Sequence, residues 1–253
     1  MASTRPIIVV AGVGNGSGTG AATARLFAKE GYRVALIARN ADHLKNTAAG
    51  ITTAGGEAVP FPVQAYDAAS LTSAFNSIKS QWPDSALRVA IWNAGHGVWK
   101  PFLQITDDEV AEALDTNVRA AFTFSRLAIT AFKENKVNEI GKRGALIFTG
   151  ATASLRGNTT TSAFAAGKFG LRALSQSLNK EFGKDNIHVS HAIIDGGILT
   201  DRLRERRNDP NWEANEDVRL SPDSIAKSYL YLANQDRSAW TWELDLRPAH
   251  EKW

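Results

Sequence analysis

Apolar residues along the chain fall into short blocks separated by longer stretches of helical period. The first block is Ile7–Val10, four β-branched residues cut off by glycines. Arg33–Ala38, Ala58–Val63, Leu87–Trp92, Ala145–Thr149, Ile187–Ile194 and Trp242–Leu246 repeat the pattern. Short apolar runs bounded by turn residues predict strands. The third is weakened by Pro60 and Pro62, which no central strand accommodates easily.

Between the blocks, Ala21–Glu30, Asp42–Thr53, Ser70–Gln81, Thr106–Lys133, Ser162–Phe182 and Pro222–Asn234 have helical spacing. Gly31 and the pair Gly55-Gly56 are plausible stops, and Thr106 with Glu109 makes a capping box. Thr106–Lys133 reads as one long helix. Strands that alternate with helices predict βαβ units and a parallel sheet. Near-continuous apolar strands predict a sheet covered on both faces. No internal repeat or low-complexity linker interrupts the alternation, so a single domain over residues 1–253 is expected.

The turn after the first strand carries the most chemistry. Gly12, Gly14, Gly16, Gly18 and Gly20 occupy every second position between a strand and a helix, with Ser17 and Thr19 among them. Glycine allows positive φ and lets backbone N–H groups approach a phosphate, while the following helix directs its positive dipole end at it. The pattern predicts dinucleotide binding; the plainer alternative is a Gly-rich turn. The second strand ends at Arg39 rather than at an acidic residue. An acidic residue there would bind the ribose 2′-OH of NAD, whereas a guanidinium suits the 2′-phosphate of NADP. NADP is therefore expected in preference to NAD.

With these elements in order, the chain resembles the short-chain dehydrogenase/reductase family from about residue 6 to about residue 247. The glycine loop resembles T-G-x-x-x-G-x-G, in two registers. Counted from the strand, the glycines are Gly12, Gly16 and Gly18; counted from the helix they are Gly14, Gly18 and Gly20. Trp92-Asn93-Ala94-Gly95 resembles N-N-A-G, and Asn117 falls where the family has a catalytic Asn. Three motifs depart from the family. Ala151 stands at the Ser position, Phe164-Ala165-Ala166-Gly167-Lys168 replaces Y-x-x-x-K, and Asp195-Gly196-Gly197-Ile198-Leu199-Thr200 replaces P-G-x-x-x-T. Gln64 also replaces an Asp usual near the adenine. Thr149–Ser154 and Ser238–Pro248 resemble reductase-like proteins that share the F-x-x-x-K motif.

The resemblance implies a Rossmann-like three-layer α/β sandwich around a mostly parallel, seven-stranded sheet, with a substrate lid around 197–220. It implies cofactor contacts from the glycine loop, Arg39, Asn93, Gly95, Lys168, Gly196 and Ile198. The family's Tyr exchanges a proton while hydride moves, and Phe164 has no proton to exchange. Lys168 and Asn117 keep their family positions among the catalytic candidates; candidate replacements for the tyrosine's proton are His96 after the N-A-G turn, Asp195 at a strand end, and water. Thr149, Thr152 and Ser162 are nearby hydroxyls. Tyr32, Tyr66, Tyr229 and Tyr231 fall in segments not expected to reach Phe164. An iminium substrate would need hydride and no proton donor. Three readings follow: an NADP-dependent reductase with altered proton transfer, a non-redox cofactor-binding protein or pseudoenzyme, and a lyase or cyclase.

Composition narrows the field. Hydrophobic residues are 43% and charged residues 22%, ordinary for a globular chain. With no cysteine, disulfides, zinc-thiolate sites and Cys nucleophiles are excluded. Five scattered histidines predict no metal site. His188 and His191 would face opposite sides of their strand. A formal charge of +3 gives no footing for nucleic acid. No run approaches the roughly 18 apolar residues of a membrane helix, so a cytoplasmic protein with a small-molecule substrate is expected. The Ala/Leu/Phe-rich faces of Thr106–Lys133 and Ser162–Phe182 suit a homodimer or homotetramer. Arg202–Arg207 reads either as a solvated helix face or as a grip on an anionic substrate group. Trp99 and Trp212 are expected in loops over the cleft.

Overall fold

The computed structural model describes residues 5–251; the two ends of the span read as one domain, 1–4 and 252–253, lie outside it. Seven strands form one sheet: β1 (Ile7–Ala11), β2 (Arg33–Ala38), β3 (Glu57–Pro62), β4 (Leu87–Trp92), β5 (Gly144–Thr149), β6 (Ile187–Ile194) and β7 (Glu243–Leu246). Their order is β3-β2-β1-β4-β5-β6-β7. Every pairing is parallel, so the sheet expected to be mostly parallel is wholly so.

The two-residue side-chain period explains the layering. On β1, Ile7, Val9 and Ala11 join one core cluster, while Ile8 and Val10 join the other. The first face is covered by α3 (Ala68–Gln81), α5 (Ala120–Glu134) and α6 (Ser162–Phe182), through Ile78, Phe124 and Leu171. The second is covered by α1 (Thr19–Lys29), α2 (Ala41–Thr53) and α9 (Pro222–Asn234), through Phe27, Leu44 and Leu232. The prolines of β3 are tolerated because β3 is an edge strand. Val63 N–H donates inward to Ala38, so Pro60 and Pro62, three and one residues earlier, place their missing donors on the open side.

The long helix expected over Thr106–Lys133 is interrupted. α4 (Asp107–Leu114) passes into a π-helical turn, Asp115–Arg119, before α5 begins. The Asn117 side chain donates to the Ala113 carbonyl, 2.8 Å away, the acceptor that a regular helix assigns to the Asn117 backbone N–H. The side chain thus takes a main-chain bond, and an extra residue bulges out.

The segment around 197–220, where a substrate lid is expected, also contains elements that the apolar pattern does not predict. α7 (Asp201–Arg207) and the short α8 (Pro210–Ala214) lie between Ile198 and Leu220, which pair as an isolated parallel bridge. Leu199 N–H donates to Leu220, and Leu220 N–H to Gly197, closing the excursion at its base. Among the described residues no helix is long and apolar enough to cross a membrane.

Candidate active site

The sheet changes direction of travel between β1 and β4, and a crevice opens at the carboxyl ends of such strands. Asn93, just past β4, spans it: its Nδ2 donates to the Gly12 carbonyl at 2.6 Å. Gly12 lies so close to the next turn that a Cβ there would stand 2.3 Å from the Ala94 nitrogen, and its φ is +92°. A Cβ on Gly20 would stand 2.4 Å from the Gly12 oxygen. Close approach thus marks one glycine from each count, Gly12 at the strand end and Gly20 at the helix end. Gly12 and Gly20 are the anchors, two residues further apart than the outer glycines of G-x-x-x-G-x-G.

This loop fits a dinucleotide on three observations. The two anchors leave no room for side chains between backbone and strand. Gly18, the N-cap of α1, gives that helix no side-chain cap, so its first-turn N–H groups remain open to an anion. The Thr19 hydroxyl is buried without a partner. Ser17 is engaged otherwise: its hydroxyl donates to Asn15 Oδ1 and accepts from Asp201 N–H. Gly14 has positive φ in open space. Arg39, at the end of β2, lies 5.8 Å over the Tyr66 ring with Glu112 3.7 Å away.

A cleft of about 580 Å³ lies at the ends of β4, β5 and β6. Asn93, Gly95, Ala151, Lys168, Gly196 and Ile198 all line it, and Phe164 stands on its wall. Lys168 projects from the second turn of α6 and is 5% exposed. Its Nζ donates to the Thr149 carbonyl at 2.9 Å. No carboxylate pairs with it among the described residues, and burial pushes the ammonium down to about 8. Gly95 is bare where a Cβ would sit 3.4 Å from this Nζ and 3.2 Å from Asn117 Oδ1. Asn117 is held by bonds from its Nδ2 to the His96 and Ala113 carbonyls, and its Oδ1 is buried and unpartnered. Lys168 and Asn117 thus converge on one gap.

The other candidates are placed differently. His96 does not enter the cleft; its Nδ1 sits 3.1 Å from Glu112. Asp195 is buried in an ion-paired cluster: it accepts from the Thr152 hydroxyl and pairs with Arg247 at 3.1 Å and Arg156 at 3.5 Å. Both of its oxygens are committed to these partners, and it does not line the cleft. Thr152 is committed to that cluster. Thr149 Oγ1 donates to Asn93 Oδ1 and lies 2.7 Å from the Tyr229 hydroxyl. Tyr229 thus comes nearer than its place in the sequence suggests: it touches the residue that holds Lys168. It approaches through the α9 face and does not line the cleft. Ser162 opens α6.

Aromatic residues close the outer end. Trp99 packs on Phe164 with ring centres 5.2 Å apart and is 46% exposed. Trp212, expected in a loop, belongs to α8 and is buried, with its Nε1 donating to Val218.

Sequence reasoning missed the polar group under β6. His191 Nδ1 lies 2.9 Å from Glu243, which Arg172 grips with two bonds of 2.7 and 2.8 Å. A carboxylate only accepts, so Nδ1 carries the proton and Nε2 is bare, facing Gly150. Burial outweighs Glu243 and holds His191 down at about 4. His188 points the other way, stacked on Trp240, and is likewise held at about 4.

Comparison with known proteins bears on the family and the fold. Residues 7–211 match the family model described as short chain dehydrogenase. A short-chain dehydrogenase structure from Rhodopseudomonas palustris is 32% identical, with TM-score 0.79, over 97% of this chain and 100% of that one. A metagenomic short-chain oxidoreductase in complex with NADP is 23% identical, with TM-score 0.77, over 97% and 98%. The 3-oxoacyl-[acyl-carrier-protein] reductase of Bos taurus is 27% identical over 78% of each chain.

Proposed function

The chain belongs to the short-chain dehydrogenase family, and on that premise we propose that it is an NADP(H)-dependent oxidoreductase that works without the family's tyrosine. The observation that carries this reading is Lys168: a buried, carboxylate-free ammonium that opens onto a cleft whose wall is Phe164. A buried ammonium without a counter-charge costs stability, and one that opens onto a cleft is a functional-site candidate.

When bound, a nicotinamide dinucleotide supplies reversible hydride transfer. The residues of this chain do the rest. The Gly12–Gly20 loop and the first turn of α1 bind the pyrophosphate. Arg39 receives the 2′-phosphate, which favours NADP over NAD. Asn93 ties β4 to the loop, and Gly95, Gly196 and Ile198 line the cofactor side of the cleft. Lys168 Nζ orients the ribose hydroxyls. It also holds a proton that it can pass to a carbonyl oxygen as the alcohol forms, regaining it from solvent. Asn117 Oδ1 steadies the ammonium across the Gly95 gap. Phe164 and Trp99 exclude water. For an iminium substrate the hydride alone completes the amine, and Lys168 only positions. Asp195 acts through Arg156 and Thr152 by shaping the cleft rim.

Half-exposed Phe122 on α5 and Phe169 on α6 support a homo-oligomer built on these helices. The second reading is a non-redox cofactor-binding protein, favoured by the absence of any side-chain hydroxyl at Ala151 and Phe164.

The test is fluorescence titration with NADPH and with NADH, followed by a turnover screen of aldehydes, ketones and cyclic iminiums. Tighter NADPH binding that Arg39→Ala weakens, with NADPH consumed on some substrate, supports the proposal. Binding without turnover on any class moves the assignment to the second reading. No binding of either cofactor at millimolar concentration overturns both.

A further inference from the structure

Helix α7 carries four arginines, and their surroundings divide them. Arg204 is neutralised twice, by Asp201 at 3.1 Å and Glu213 at 2.7 Å, and does not line the cleft. Arg202, Arg206 and Arg207 do line it, and among the described residues no carboxylate pairs with any of them. Arg206 instead rests 5.5 Å over the Trp99 ring and Arg207 4.7 Å over Trp212. Indole faces hold a guanidinium in place without cancelling its charge. Lys168 adds a further uncompensated cation at the inner end, and among the described residues no acidic side chain lines the cleft.

The cofactor loop does not account for this charge. No residue from Gly12 to Gly20 lines the cleft, and the open N–H groups of α1 already provide for a pyrophosphate. The arginines stand at the outer end, with Trp99 and Phe164 between them and Lys168. A molecule that fills this space meets cations at its outer end and flat apolar walls along its body.

We propose that the cleft takes an organic anion, a substrate whose carboxylate or phosphate is gripped by Arg206 and Arg207 while its planar apolar part lies against Trp99 and Phe164. The proposal rests on the reductase reading for the word substrate, but the anion site itself stands on the cleft alone. Planar guanidiniums bind carboxylate and phosphate through paired N–H donors, and release from the indole faces brings those donors to the ligand. The Arg156–Asp195 pair leaves Arg156 unavailable for this role.

The test needs no turnover. Calorimetry on the protein, with and without NADP, compares sodium benzoate, phenyl phosphate and the uncharged ester methyl benzoate. Both anions bind at least about tenfold tighter than the ester, and added salt narrows the gap. Stronger binding of phenyl phosphate than of benzoate identifies the phosphate as the group the site prefers, and the reverse order the carboxylate. The exposed double variant Arg206→Gln/Arg207→Gln brings the preferred anion to within about twofold of the ester. Arg204→Gln, whose charge is already met by two carboxylates, leaves the preference in place. Equal binding of anions and ester, or a preference that survives the double variant, overturns the proposal. If NADP and NADPH fail to bind while the preference depends on Arg206 and Arg207, the anion site stands and the reductase reading falls.

Discussion

Lys168 sits one helical turn beyond Phe164, and its Nζ stands 5.8 Å from the centre of that ring. A phenolic oxygen added to Phe164 would enter the cleft beside the ammonium, which lowers a phenol's pKa and makes it a ready proton donor. Phe164→Tyr is expected to raise NADPH-dependent reduction of carbonyl compounds by about 10²-fold or more, the usual contribution of a placed general acid. Iminium reduction should change far less. Steady-state assays of the two substrate classes with the same variant check this.

Lys168→Met separates function from stability. The variant should lose NADPH affinity by about tenfold or more, since a charged donor to the ribose disappears. It should also melt later, by on the order of 1–3 kcal/mol of added stability, because a buried ammonium is replaced by an apolar chain of similar length. Calorimetry and urea denaturation report the two effects independently.

The depressed ammonium also has a pH signature. With Lys168 held at about 8, any rate that depends on its charge should fall above pH 8. Stability behaves oppositely. The unfolded lysine keeps its proton to about 10.5, so between the two values the unfolded state binds more protons and folding strengthens as pH rises. Buried Lys142, which donates to the Leu232 and Ala233 carbonyls, is also held at about 8 and adds to the same slope. Urea midpoints measured from pH 7.5 to 10 should increase, less steeply in Lys168→Met.

The histidines act at the acid end. His188 and His191 are neutral in the fold down to about 4, against 6.5 when unfolded. Stability is therefore full above pH 6.5 and lost as pH falls toward 4, at about 1.4 kcal/mol per pH unit for each histidine. His188→Gln should remove about half of that slope in urea titrations.

Glycine substitutions should divide by position. Gly12→Ala forces a Cβ into the Ala94 backbone at positive φ and should cost more than about 3 kcal/mol. Gly14→Ala, with φ +69° but open space, should cost about 1 kcal/mol. Denaturant melts of both variants give the comparison.

The framework of the molecule was legible where local signals and apolar blocks agreed. Ser162–Phe182 and Pro222–Asn234 have the bounds their sequence predicts, with Gly183 following one and Pro222 opening the other. The turn at Asp115–Arg119 was hidden because the Ala/Leu period runs straight through it; a mid-helix Asn, able to compete for backbone carbonyls, was the available clue. α8 was not expected, and α7 was legible only as one of two readings of Arg202–Arg207, because four arginines and two acidic residues within seven positions carry no apolar period. In the candidate site, the cofactor-side glycines, Asn93, Asn117 and Lys168 come together as their motifs suggest. The ion pairing of Asp195 was not legible, since its partners Arg156 and Arg247 lie on distant parts of the chain. Nor was the reach of Tyr229, which depends on how α9 packs behind Thr149.

The rims of the sheet set a limit on what the chain can add to itself. A foreign strand arriving beside β3 would find two of its outward positions, Pro60 and Pro62, with nothing to donate. At the other rim β7 offers only four residues. Neither border provides the long, regular ladder that fibrils need in order to grow. The awkward prolines that weaken the third apolar block as a strand thus make it a good last strand, and the sheet ends where its chemistry stops inviting a neighbour.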